Sequence, residues 1–153
     1  VSIRKNIAAA LLVQLNSGGQ FTGGTGRRLT NPEGVASPGK PALFLIKATE
    51  DYRREDRGTP PTRELKFIAV IYTDVGNDVT AVPADVIDDL LDAIDTALAP
   101  SPVAMMTNDQ GRQTLGGLVY DCRIEGELQL GPGDEQGKGT TEVPITVVLN
   151  DYP

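Results

Sequence analysis

Apolar and polar positions alternate most clearly near the end of the chain. Even positions are mostly apolar at Leu118, Tyr120, Cys122, Ile124, Leu128 and Leu130, and odd ones after Val119 are polar (Asp121, Arg123, Glu125, Glu127, Gln129). Successive strand side chains point to opposite faces, so this pattern predicts one long strand with one wet face. A polar loop with four glycines follows, and a second strand returns through Val143, Ile145, Val147 and Leu149. The unit reads as a β-hairpin with an extended tip over 131–140. Pro144 has no N–H for a ladder, which places the returning strand at a sheet edge or starts it nearby.

Earlier in the chain the period changes. Ile3, Ile7, Leu11 and Leu15 recur every four residues, predicting a helix from Ser2 to Leu15 with Ser2 as cap. Asn16-Ser17-Gly18-Gly19 ends it. Residues 16–40 form a long Gly-rich arm anchored by Phe21, Leu29 and Val35. A segment this long is either a loose surface loop or an arm that orders against a neighbour. Pro41 to Thr49 and Leu65 to Thr73 read as strands with apolar residues on both faces. Between them, residues 50–64 mix charges with Pro60-Pro61 and predict an extended hairpin tip standing off the core. Ala84 to Leu98 predicts a second helix led by Pro83. Its Val86, Ile87, Leu90, Leu91, Ile94 and Leu98 share an arc of about 140°. Asp85, Asp88, Asp89, Asp92 and Asp95 cover the other side, and Pro100 and Pro102 stop the helix. Val103 to Arg112 is a connector in which Met105 and Met106 fill core space.

The order α-β-β-α-β-β predicts an α/β (α+β) fold in one domain spanning 1–153, mainly an antiparallel four-stranded sheet with two helices packed on one face. Two helices cover one face, yet the first two strands want apolar cover on both. A neighbouring copy is the simplest source of that cover.

Charge and composition narrow the function. The chain carries 14 basic and 21 acidic residues, net −7. That balance disfavours a grip on nucleic acid, where Lys and Arg must neutralise phosphates. Histidine is absent and cysteine occurs once, so the usual neutral-pH base and the commonest zinc ligand are missing and no internal disulfide forms. A lone thiol fits a reducing compartment, and Cys122 reads as a buried packing residue. No apolar run is long enough for a bilayer span, and Ala8 to Val13 lacks the marks of a signal peptide.

Three motifs invite chemistry and fail on inspection. Gly34 to Lys40 has phosphate-loop spacing, but Pro41 stands where Ser or Thr should hold Mg²⁺, and a strand follows rather than a helix. The Asp row on the second helix has no His or Cys partners and reads as a solvated or partner-facing acidic surface, not a metal site. Arg53, Arg54 and Arg57 are interleaved with Glu50, Asp51, Glu55 and Asp56, which suits a protein contact better than a phosphate. No catalytic, cofactor-binding or metal-binding residue is expected.

Several segments, taken in order, resemble a known family. These are the first helix, Arg27-Arg28-Leu29, Pro41-Ala42-Leu43-Phe44-Leu45, Arg57-Gly58-Thr59-Pro60-Pro61 and the acidic helix closing in Ala97-Leu98-Ala99-Pro100. Gln113-Thr114-Leu115-Gly116-Gly117-Leu118-Val119 and Val143-Pro144-Ile145 follow. Together, over about Ile3 to Leu149, they resemble tail terminator (tail completion) proteins of long-tailed bacteriophages and prophages. The resemblance implies a homo-oligomeric ring, a hexamer, that caps the tail tube, stops its polymerisation and faces the head–tail connector. DNA passes the lumen without specific binding, no cofactor or membrane is involved, and the protein resides in the virion tail or neck after assembly in the bacterial cytoplasm. Thr22-Gly23-Gly24-Thr25-Gly26 is richer in glycine than the family pattern. Arg27, Arg28, Arg53, Arg54, Arg57, Pro60, Pro61, Asp134, Glu135 and Lys138 are the expected contact residues. Another neck component, a head–tail adaptor or stopper, is the alternative, followed by a small ligand-binding module or enzyme.

Overall fold

The computed structural model describes residues 2–28, 40–54, 58, 61–76, 80, 82–100, 111–131 and 137–150. Helix α1 spans Ile3–Leu15, and the Ser2 hydroxyl accepts the Lys5 N–H at 3.4 Å, as the cap reading expects. Ile7, Ala8, Leu11 and Leu15 are buried on its inner stripe, whereas Ile3 in the first turn is exposed. Helix α2 spans Pro83–Ala97 and buries Ile87, Leu90, Ile94 and Ala97. The helices meet where Gln14 Nε2 donates to the Ala97 carbonyl at 2.6 Å. Gln113 Nε2 donates to the Ala99 carbonyl at 3.0 Å, so two glutamines serve carbonyls at a helix end that has no intrahelical donors left for them.

The sheet is larger than the predicted four strands, and it is mixed. Strands β1 (Gly24–Gly26), β2 (Ala42–Arg53), β3 (Thr62–Asp74), β4 (Asp121–Ile124), β5 (Gln129–Gly131) and β6 (Lys138–Asn150) run in the order β1-β2-β3-β6-β4, with β5 also on β6. The expected α-β-β-α-β-β order is present, with β1 added and the third long strand split. Strand β1 lies inside the Gly-rich arm and pairs parallel with β2 through Gly24↔Ala42 to Gly26↔Phe44. Glycines are poor strand formers, so pairing partners and not propensity make this strand. Phe21, one of the expected anchors, is buried just before it. The other two, Leu29 and Val35, lie outside the described residues, as do Gly34 to Gly39, Met105 and Met106.

Pro144 is not on an edge strand: β6 is flanked by β3 on one side and by β4 and β5 on the other. Its ring is accommodated by parity. In an antiparallel strand the N–H and C=O of one residue point to the same neighbour. The Pro144 carbonyl accepts the Glu125 N–H at 3.1 Å, so its absent N–H faces the β4–β5 side. There the long strand expected over 118–130 is interrupted. Pairing stops at Ile124↔Ile145 and resumes at Gln129↔Glu142. Gly126 turns in the gap with φ 119°, and a Cβ there would lie 3.2 Å from the Pro144 ring. One proline therefore breaks its neighbour instead of its own strand.

Alternation then sorts the side chains. The helix face carries Leu43, Leu45, Leu65, Phe67, Ala69, Ile71, Val143, Ile145, Val147, Leu149 and Cys122, packed with the inner stripes of α1 and α2. Both helices thus cover one face, as expected. The opposite face carries Ala42, Phe44, Val70 and Tyr72, with Ile46 and Ile68 beside them. Phe44 and Tyr72 pack ring to ring at 5.5 Å. Phe44 is only 7% exposed and Tyr72 6%, so the chain itself buries this patch. The expectation that a neighbouring copy must cover the second face is corrected accordingly.

Two substitutions test this packing. Ile94→Ala, at a fully buried site, should cost about 2–5 kcal/mol in chemical denaturation. Gly126→Ala should cost about 1–3 kcal/mol, because its φ and the Pro144 ring both resist a Cβ.

Candidate assembly surface

The β2–β3 hairpin is longer than expected, and its tip is shorter. The ladder continues to Arg53↔Thr62, so residues 50–53 and 62–64 belong to strands. A register shift between Lys47 and Thr49 leaves Ala48 as the extra residue of a bulge. The bulge matters because it reverses parity. Before it, odd residues of β2 face the helices; after it, Glu50 lies opposite Leu65 and Tyr52 opposite Arg63. Glu50 and Tyr52 consequently face α1.

Arg4 of α1 meets both of them. Its Nε donates to Glu50 Oε1 at 2.6 Å, and its terminal nitrogen donates to the Tyr52 hydroxyl at 2.6 Å. Lys47 pairs with the same carboxylate oxygen. Arg4, then Lys47, hold the Glu50 carboxyl down at about 2. The hairpin is therefore pinned to α1 and does not stand free of the core as the sequence suggested. Cross-strand pairs continue outward, Lys66 with Asp51 at 3.7 Å and Arg53 with Glu64 at 4.0 Å. The interleaved charges of this segment thus neutralise one another in part.

The expected contact residues fall at three places and form no single cluster. Arg53 and Arg54 are exposed at the hairpin end, with Pro61 half-buried beside them. Lys138 is half-buried in the first position of β6, opposite Asp74, and is a strand residue, not a loop-tip one. The two places are separated by the thirteen residues of β3, about 40 Å at strand rise. Arg27 and Arg28 are exposed where β1 ends, at one lateral edge of the sheet. Arg57, Pro60, Asp134 and Glu135 lie outside the described residues.

A feature that sequence reasoning missed lies at the other lateral edge. Two adjoining hollows share Asp95 and Ile124 and run between α2 and the β4–β5 edge. Leu91, Ile124 and Leu128 form the apolar part, and Asp88, Asp92 and Asp95 form the rim on α2. Leu130 follows on β5 at 56% exposure. The Asp row was visible in sequence, but its opposition to β4 and β5 required the strand order. Arg123 also lines the groove and is committed to Asp121 at 2.8 Å and Glu125 at 3.1 Å. Cys122 lines the same hollow; burial chiefly, and the Asp121 charge next, push its thiol up to about 12. A thiol so placed stays protonated and is a packing group, not a nucleophile. Among the described residues no three His, Cys, Asp or Glu side chains are grouped to hold a metal ion, and no helix is long and apolar enough to cross a membrane.

No protein-family model matches the chain, and no curated protein does. Among solved structures, it is similar in fold to a chain of the virion of a native gene transfer agent (GTA) particle. That likeness has a TM-score of 0.50 at 9% sequence identity and covers 93% of this chain and 92% of the other. It is a likeness of fold across nearly the whole of both chains.

The Arg4–Glu50 contact gives a pH test. The folded carboxyl is held below its unfolded value of about 4.3. Its contribution is complete above that value and disappears as pH falls through about 2. Solvent reaches Arg4 and screens the pair, so the contribution is small. Glu50→Gln should be slightly less stable at neutral pH in urea titrations. The gap to the parent should close on acidification to pH 2.

Proposed function

We propose that this chain is a structural virion protein of a phage-type particle. In this reading it caps the tail tube, ends tube polymerisation and forms the tail side of the head–tail junction as a homo-oligomeric ring, with six copies as the family resemblance implies. The observation that carries the proposal is the fold shared along almost the entire chain with a virion component. Its partners are further copies of itself, the tail tube protein and a neck protein. DNA passes through the ring without specific contacts. The protein acts by shape and not by catalysis, and its place is the tail or neck of the virion, assembled in the bacterial cytoplasm.

The arrangement of the sheet supports this reading. A subunit that closes a tube must meet the tube on one side and something different on the other. Here the hairpin end and the β5–β6 end lie at opposite ends of β3 and β6. The hairpin end presents Arg53 and Arg54 on a ribbon braced by Arg4. A ribbon held at a fixed angle loses little conformational freedom on docking, which favours a defined contact. A ring set on the tube end through one set of loops offers its next neighbour the other set, so the tube's own repeat cannot continue.

The decisive test is electron microscopy of particles made without this protein. Overlong tails lacking heads are the expected result; tails of normal length would assign it to an adaptor or stopper position instead. A second test is local. Because Arg53 and Thr62 are paired, residues 54–61 can be replaced by an Asn-Gly turn. The shortened chain should keep the parent's melting temperature within a few degrees and fail to yield infectious particles in a complementation assay.

A further inference from the structure

We propose that the groove between α2 and the β4–β5 edge is the seat for Arg27 and Arg28 of a second copy of this chain. The proposal rests on the ring reading above and names the contact that would build the ring.

Three observations lead there. The groove combines an apolar part, Leu91, Ile124 and Leu128, with a rim of Asp88, Asp92 and Asp95. The three carboxylates are on exposed residues, and the basic side chain lining the groove, Arg123, already serves Asp121 and Glu125. Among the described residues, no basic side chain lines the hollow bounded by this rim, which suits a positively charged visitor. Second, Arg27 and Arg28 are adjacent, exposed and without an ion pair among the described residues. Third, the strand order puts the two features on opposite edges, β1 at one and β4 with β5 at the other. A chain cannot dock its own β1 exit into its own groove across four intervening strand spacings, about 19 Å. A second copy can, and its own groove then remains open for a third.

A contact between two different patches of identical subunits is heterologous, and it generates a ring when the rotation closes. Matching opposite charges also sets the register and speeds encounter. Arg53 and Arg54 are the competing basic pair, but they sit at the strand ends and not at a lateral edge. Using them would place subunits end to end instead of side by side.

The test reverses each side separately. One variant carries Arg27→Glu with Arg28→Glu, the other Asp92→Arg with Asp95→Arg. Self-association is read by sedimentation velocity and native mass spectrometry, with circular dichroism to check folding. Each variant alone should associate at least about tenfold more weakly than the parent. An equimolar mixture should regain assembly with the two chains alternating, because each reversed arm then meets a reversed groove. The parent's association should also weaken as salt rises. Association unchanged in either variant, a mixture that fails to assemble, or a parent that stays monomeric overturns the proposal. So does a loss of association on Arg53→Glu with Arg54→Glu and not on the Arg27 and Arg28 reversal. A ring that persists through both reversals would remove this interface while leaving the capping role intact.

Discussion

The antiparallel ladder between β3 and β6 is the constraint on which the rest depends. Its thirteen residue pairs run without a shift from Thr62↔Asn150 to Asp74↔Lys138. With no slip, every second residue of both strands stays on one face, and that face receives both helices. A slip of β6 by one residue would move Val143, Ile145, Val147 and Leu149 out of the core together. The ladder also survives a proline at its centre. The hydrogen bonds that Pro144 cannot make belong to the β4–β5 side, where the chain has already bent away at Gly126. The register is thus kept by moving the irregularity to the neighbouring strand.

A second irregularity has the opposite use. The bulge at Lys47–Thr49 leaves the pairing of β3 with β6 untouched and inverts the outer half of β2. Polar residues that would face away from α1 are brought to Arg4 instead. The outer hairpin is too polar to be held by burial, so a charge cluster fixes its angle. An exposed ion pair is worth little on its own. Two hydrogen bonds from one guanidinium, to a carboxylate and a phenol two residues apart, add direction to that small energy. The energy is modest, but a ribbon needs only a preferred angle to present its end consistently.

The helices were legible in sequence because their periodicity is local: Ile7, Leu11 and Leu15 on one, Ile87, Leu90 and Ile94 on the other. The helix order, the strand stretches 41–49 and 65–73 and the placing of both helices on one face follow from the same patterns. What escaped was set by partners distant in sequence. Strand β1 is Gly-Thr-Gly and gains strand geometry only through β2. The split of β4 from β5 depends on Pro144, some 20 positions away. Leu130 keeps the parity of a core residue, opposite buried Thr141, yet stays exposed. Apolar residues on both faces of β2 and β3 were visible, but alternation cannot say whether the chain covers the second face itself. The contact residues were read as tips, and the structure separates them into an end, a strand and an edge.

Burial of Phe44 and Tyr72 within the chain bears on the kind of assembly proposed above. A bare apolar sheet face would drive permanent, undirected association, because hydrophobic contact has no inherent orientation. Among the described residues, the surfaces open to a partner include an apolar groove with a carboxylate rim, a pair of arginines on the far edge and two unlike strand ends. Such surfaces discriminate by charge and geometry, and their contacts weaken with salt. The lateral edges are also unlike each other: three residues of parallel strand at one, two short antiparallel pieces separated by a bend at the other. Short and broken edges are poor templates for edge-to-edge strand pairing. In the proposed ring, side-chain contacts would then define the neighbour, and a subunit whose two flanks differ can repeat in one direction only, as a closed, polar ring requires.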